Sequence, residues 1–299
     1  MSVTAEAVRQ LRERTGAGMM ECKKALVETS GDLDAAAELM RKQGLAKADK
    51  KATRVAAEGV IASATSADGR TAVLVEVNCE TDFVARGEDF TAFAREVAQA
   101  ALVGDPADVA ALGAQRVASG ETVEERRRAL IAKIGENISV RRFERVTSTG
   151  PLGSYLHGTR IGTLVALQGG DATLARDLAM HVAASNPQFL DATQVPADEV
   201  AKERSIRIEQ NRNDEKNRNK PEAVLARIVE GQIAKWLGEI TLMGQPFVKD
   251  PDVAIGKLLQ GAGAQVVRFA RLEVGAGIEK KQDDFVAEVM AQAKGSGTR

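Results

Sequence analysis

Aromatic residues are scarce: one tryptophan, one tyrosine and eight phenylalanines in 299 positions, 3% of the chain. A core built from such a chain rests on Ala, Val, Leu and Ile, and few rings remain to stack on nucleobases. An excess of either charge is lacking too. The 41 Lys and Arg nearly cancel 42 Asp and Glu, leaving a formal charge of −1 and no general attraction to phosphate backbones or anionic membranes. Direct nucleic-acid and membrane partners are therefore not expected.

The short supply of histidine and cysteine narrows the chemistry further. With only His157 and His181 there is no His-Glu-x-x-His helix, no Gly-x-x-x-x-Gly-Lys-[Ser/Thr] loop occurs, and the Gly-Ala-Gly triplets at 261–263 and 275–277 lack the third glycine of a dinucleotide loop. Nothing calls for an enzyme, a metal or a cofactor. Cys22 and Cys79 form no Cys-x-x-Cys pair, which suits a reduced compartment better than a disulfide framework. No basic segment followed by an apolar run opens the chain, and no apolar stretch reaches the length of about 18 residues that a membrane helix needs. A cytoplasmic location is expected.

Against this thin aromatic supply, Asp82-Phe83 follows directly on a strand-like run and precedes a helix-like one. A large ring at a loop tip points to an external destination. The competing expectation is that Phe83 folds back as a hydrophobic staple on the following helix.

The first residues read as three short helices separated by glycine stops: one capped by Thr4 and carrying Val8 and Leu11, one from Met20 to Glu28, and one starting at Asp32 and ending before Gly44. Helices this short are marginal alone and pack as a bundle. Leu45 to Arg54 reads as a lysine-rich connector. Two successive methionines, Met19 and Met20, cannot both face a small core, and with Arg12 and Lys23 they suggest an adaptable contact surface.

An internal duplication follows. Gly69 to Val77 resembles Gly158 to Leu167, each a turn followed by a β-branched run. A short strand precedes each, Gly59–Ala62 or Leu152–Tyr155. An amphipathic helix follows each, carrying Phe90, Phe93 and Val97 or Leu174, Leu178 and Val182. The expected fold class is α+β, with a core of two related units, each a small antiparallel sheet backed by helices. The first copy carries an insertion, Cys79 to Glu88, where the second has only Gln168 to Thr173.

Ala197 to about 230 reads as a protruding helical hairpin with Pro221 starting the return. Glu239 to Val248 reads as strand-like, Asp252 as the cap of a helix to Gln260, and Gln265 to Val274 as a late strand. Phe285, Val286, Val289 and Met290 form a terminal apolar stripe. The expected organisation is a docking domain over 1–54, a core unit over 55–146, a second over 147–275 with the hairpin, and a C-terminal module over 276–299. His181 lies on an apolar helix and reads as packed; His157 reads as lying in a turn, the better functional candidate of the two.

Together the segments Leu11-Arg12-Glu13-Arg14-Thr15-Gly16-Ala17-Gly18-Met19-Met20, Glu76-Val77-Asn78-Cys79-Glu80-Thr81-Asp82-Phe83-Val84, Ala132-Lys133-Ile134-Gly135-Glu136-Asn137-Ile138, Met180-His181-Val182-Ala183-Ala184 and Gly244-Gln245-Pro246-Phe247-Val248 resemble the bacterial elongation factor Ts family. Their order covers essentially the whole chain. The resemblance implies a ubiquitin-associated-like N-terminal domain, a two-unit core, a coiled-coil hairpin, a C-terminal helical module, and exchange of guanine nucleotide on elongation factor Tu as partner. It assigns Thr81, Asp82, Phe83 and Val84 to displacing Mg²⁺ from that partner, and Arg12, Met19, Met20, Lys23, Ile134, Gly135, His157 and Val248 to binding it. Lys249 stands where the family can carry a more apolar residue, and no contact is assigned to it. A generic protein-binding adaptor and an enzyme using His157 stay open from the residues alone, as does pairing of two copies in a two-plus-two complex.

Overall fold

The computed structural model describes residues 3–217 and 220–279. Three helices open the chain: α1 (Ala5–Thr15), α2 (Met19–Glu28) and α3 (Leu33–Lys51). The Thr4 hydroxyl accepts the Ala7 N–H at 3.2 Å, and Asp32 Oδ1 accepts those of Asp34 and Ala35 at 2.9 Å, so side chains satisfy donors that a helix start leaves unpaired. Gly16, at φ 65°, stops α1 and returns its N–H to the Arg12 carbonyl. Val8, Leu11, Cys22, Ala25, Leu26 and Ala36 form the small core.

The connector expected from Leu45 is instead helical, because α3 continues to Lys51. One internal glycine costs only about 1 kcal/mol, and the Leu, Ala and Lys residues after it favour helix. The far end is also tied down, since Lys51 Nζ donates to the Gly135 carbonyl.

The first core unit contains β1 (Glu58–Thr65), β2 (Thr71–Cys79), α4 (Asp82–Ala85), α5 (Glu88–Gly104), α6 (Val109–Ala114), α7 (Val123–Ile134) and β3 (Ile138–Thr147). The second begins with β4 (Leu152–His157), β5 (Ile161–Gln168) and α8 (Ala172–Ser185). The chain then leaves through α9 (Ala197–Asn213) and α10 (Glu222–Ile240), makes β6 (Pro246–Phe247), β7 (Asp250–Ala254) and α11 (Ile255–Gly261), and returns as β8 (Gln265–Glu273). The sheets are antiparallel, in the orders β1-β2-β3 and β4-β5-β8.

The two copies match in register as well as in order. Val75 pairs with Phe143 just before a bulge at Glu76/Val77, and Val165 pairs with Phe269 just before a bulge at Ala166/Leu167. Alternation along a strand sends successive side chains to opposite faces. Val73, Val75 and Val77 pack on Phe90, Phe93 and Val97 of α5, and Val165 and Leu167 pack on Leu178 and Val182 of α8. The opposite faces meet each other through Ile61, Leu74 and Val146 on one side and Leu164, Ala270 and Leu272 on the other. Helix, sheet, sheet, helix is the resulting order of layers. Gly162 makes the close approach of sheets possible, since a Cβ there would lie 2.6 Å from Ile61 Cγ2 and 2.9 Å from Leu74 Cδ2.

Glu76 is fully buried at this junction. Arg141 and Arg142 reach it at 3.1 and 2.6 Å, and Asn78 Nδ2 and the Gly275 N–H donate to its Oε1 at 3.1 and 2.7 Å. A buried carboxylate is tolerated because every approach to it is a donor.

Three further expectations change. The strand-like run from Glu239 is half helical: α10 extends to Ile240, a 3-10 turn follows at Leu242–Gly244, and of the run only Pro246–Phe247 forms a strand. An apolar run this short does not distinguish helix from strand, and here Gln245 Nε2 secures the Glu239 carbonyl at 2.7 Å. Asp252 caps nothing helical; it lies in β7, and α11 starts at Ile255, whose N–H is taken by the Gln245 carbonyl at 3.0 Å. The hairpin exists but its return passes residue 230, with Asn211 Nδ2 donating across to Gln232 Oε1 at 2.7 Å. Most of the 276–299 segment, including the Phe285 to Met290 stripe, lies outside the described residues.

Candidate functional site

The Asp-Phe segment is a single helical turn, α4, and not an open loop. Thr81 caps it, its Oγ1 accepting the Val84 N–H at 3.3 Å. Glu136 in turn holds Thr81: its Oε2 accepts the N–H groups of Glu80 and Thr81 at 3.1 and 3.0 Å, and its Oε1 accepts the Thr81 hydroxyl at 2.7 Å. Glu80 answers from the other side, its Oε1 accepting the Asn137 N–H at 2.6 Å.

Within the turn the side chains divide. Ala85 is buried, Val84 packs partly against the first core, and Phe83 is 83% exposed. That exposure removes the staple alternative for Phe83. Asp82 pairs with Arg86 at 2.9 Å, one turn on, and both remain accessible to solvent. Cys79 lies beneath, its Sγ donating to the Thr81 carbonyl at 3.2 Å; burial, with Glu136 and Glu58 nearby, pushes the thiol up to about 12. A thiol so held is not a nucleophile near neutrality.

Ile134 and Gly135 end α7, which starts at a reciprocal Thr122–Glu125 capping box and stops where Gly135 takes φ 88°. They are therefore adjacent to Glu136 and to the turn it braces. The N-terminal helices join this cluster. Arg12, Met19, Met20 and Lys23 are all exposed, the methionines at 60% and 76%. A Cβ on Gly16 would lie 3.7 Å from the side chain of Lys133, which itself pairs with Asp89 of α5 at 2.7 Å. Lys133 thus stands between the loop before Met19 and the helix that follows Phe83.

His157 and Val248 belong to the second unit. His157 is the exposed last residue of β4 rather than a turn residue, its Nδ1 3.2 Å from the Tyr155 hydroxyl. Val248 is 44% exposed, and its N–H donates to His181 Nδ1 at 3.2 Å. His181 is buried and structural: its Nε2 faces Gln245 Oε1 at 2.9 Å, and burial lowers its pKa against the opposing pull of that hydrogen bond. An open cavity of about 490 Å³ in the second unit is lined by Tyr155, Arg176, Asp177, Met180 and Lys249, and by neither His157 nor Val248. Lys249 spends its charge there on Asp177, at 2.6 Å.

Sequence reasoning missed Glu136 and Lys133 as organisers of the site. Nothing local could have marked Glu136, whose partners lie 55 and 56 residues away. Among the described residues no three His, Cys, Asp or Glu side chains group to hold a metal ion, and no helix is long and apolar enough to cross a membrane.

Residues 80–276 match a family described as Elongation factor TS. The chain is 59% identical over 298 residues to Elongation factor Ts of Thioalkalivibrio sulfidiphilus, covering 99% of this chain and 100% of that protein. It is 60% identical over 297 residues to Elongation factor Ts of Methylococcus capsulatus, and 57% identical over 297 residues to that of Alkalilimnicola ehrlichii, with 99% of this chain and 100% of each relative covered.

Proposed function

The chain belongs to the elongation factor Ts family and has a role in translation elongation; on that premise we propose that it is a guanine nucleotide exchange factor acting on the GDP form of elongation factor Tu. The observation that carries the proposal is the 83% exposed Phe83 ring on a turn whose backbone is pinned to Glu136. Burying such a ring in a partner is worth roughly 1.5–3 kcal/mol, and a pinned backbone loses little further freedom on insertion.

Exchange needs no bond made or broken. Mg²⁺ demands near-octahedral oxygen ligands, so a ring wedged beside its site weakens the nucleotide's hold. Phe83 supplies the wedge, Asp82 adds a negative charge near the displaced ion, and Thr81 and Val84 root the turn. Arg12, Met19, Met20, Lys23, Ile134, Gly135, His157 and Val248 hold the partner while this happens. Coupling is reciprocal: a factor that weakens nucleotide binding is itself weakened by nucleotide. Shifting a partner from almost wholly loaded to almost wholly empty takes about 5.5 kcal/mol of differential affinity.

Release of a fluorescent GDP analogue from elongation factor Tu tests the proposal. The chain accelerates release, and the Asp82→Ala/Phe83→Ala double variant loses most of the acceleration. Equal rates for the two proteins would sink the wedge.

A further inference from the structure

We propose that Glu136 is a positioning residue for exchange: its carboxylate fixes the direction in which the Asp82–Phe83 turn enters the partner, and yokes that turn to the Ile134–Gly135 contact. The inference rests on the exchange function proposed above, and deepens it.

A helix of four residues has no stability of its own, because one turn fixes several dihedral angles for a single hydrogen bond. Its orientation is set from outside. Of the groups at its N-terminal end, the N–H groups of Glu80 and Thr81 and the Thr81 hydroxyl all converge on the one carboxylate of Glu136. Hydrogen bonds to an ionised acceptor are roughly twice as strong as neutral ones. Because the Thr81 hydroxyl gives its proton to Glu136, its oxygen is left to accept the Val84 N–H, which is the capping bond itself. Donation from Asn137 to Glu80 closes a ring of contacts, and Asn137 Nδ2 fastens that ring to the Arg54 carbonyl at 2.7 Å. The strand end, the helix end and the segment leading from α3 therefore move as one piece.

Glu136 itself is not needed for the ring to be exposed. It is needed for the ring to be aimed. Without the carboxylate the turn samples several directions and pays the ordering cost at the moment of insertion, while Arg12, Met19, Met20 and Lys23 still dock. The loss therefore falls on the maximal rate of nucleotide release and not on the concentration of factor that half-saturates it.

The test measures fluorescent-GDP release from elongation factor Tu across a range of factor concentrations, with the full chain. Glu136→Ala is expected to lower the maximal rate by about tenfold, as loss of a hydrogen-bonded charged acceptor predicts, and to leave half-saturation within about twofold. Glu136→Gln recovers most of the rate, since its amide oxygen still accepts the two N–H groups. Phe83→Ala lowers the rate strongly in the wild-type background and little further in Glu136→Ala. Should thermal melting show Glu136→Ala unfolded, Thr81→Val removes the hydroxyl arm together with the Val84 cap that it supports, and lowers the maximal rate in the same way. A maximal rate unchanged in the folded variant, or a loss confined to half-saturation, overturns the proposal. With Phe83→Ala active and the Glu136 variant silent, only the positioning role falls. A Phe83→Ala variant that releases GDP as fast as the wild type overturns the wedge, and this proposal with it.

Discussion

Glu76 accepts the backbone N–H of Gly275 at 2.7 Å. A carboxylate on the central strand of the first sheet thereby closes the end of the last strand of the second, and Arg142 completes the tie by donating to the Glu273 carbonyl at 3.1 Å. The junction of the two copies is electrostatic at its rim and apolar at its centre.

Replacing Glu76 by Ala leaves Arg141 and Arg142 without their shared anion and is expected to cost about 3 kcal/mol, the scale for breaking a buried pair. Urea unfolding of the variant reads this directly as a lower midpoint. The acid side has a definite sign. Burial pushes the Glu76 carboxyl up, but the Gly275 N–H, Arg142 and Asn78 outweigh it and hold the group below its ordinary 4.5. Its contribution is thus complete above that value and is lost as pH falls through the lower folded-state pKa. The variant's unfolding midpoint should therefore vary less over that acid range than the wild type's.

His181 predicts a second pH effect, at milder acidity. Its pKa is lowered from 6.5, with burial the leading cause, so the unfolded chain takes up a proton that the folded chain refuses. Stability is full above about 6.5 and declines as pH falls toward the folded-state pKa. His181→Gln, which cannot titrate, should flatten thermal stability between pH 7 and pH 5 (roughly the histidine range). A wild-type profile already flat over that range would refute the assignment.

Met19 and Met20 make a sharper separation between folding and docking. Both side chains are exposed, and neither belongs to the small core beneath them. Changing both to Ala is expected to alter unfolding free energy by no more than about 0.5 kcal/mol, as for surface positions generally. Titration against elongation factor Tu should show severalfold weaker binding. A large drop in stability with unchanged binding would place the pair in the fold instead.

The duplication was legible because it lies in local pattern: a turn, a β-branched run and an amphipathic helix, repeated. From Thr71 and Ile161 onward that pattern is the central strand of each sheet, and the two strands prove to carry matching bulges. The exposed ring of Phe83 was legible for the same reason, since aromatic scarcity made its place conspicuous. Three things were not. Gly44 looked like a stop, yet tertiary support at Lys51 carries α3 past it. Ile240 and Leu242 looked like strand, yet α10 buries Val229 and Ile233 on one side and carries its helical period onward. Glu136 carries no local mark of its role, and only folding brings it to Thr81.

The unbroken course of α3 has a mechanical corollary. Its 19 residues make a rod about 28 Å long at 1.5 Å per residue, so the methionine face is carried on a lever and not on a tether. A tethered module searches a volume, and lengthening its linker by one residue hardly matters. A lever has phase. One residue inserted into α3 would swing whatever lies beyond it by about 100° around the helix axis, and the direction in which the methionine face points would turn with it.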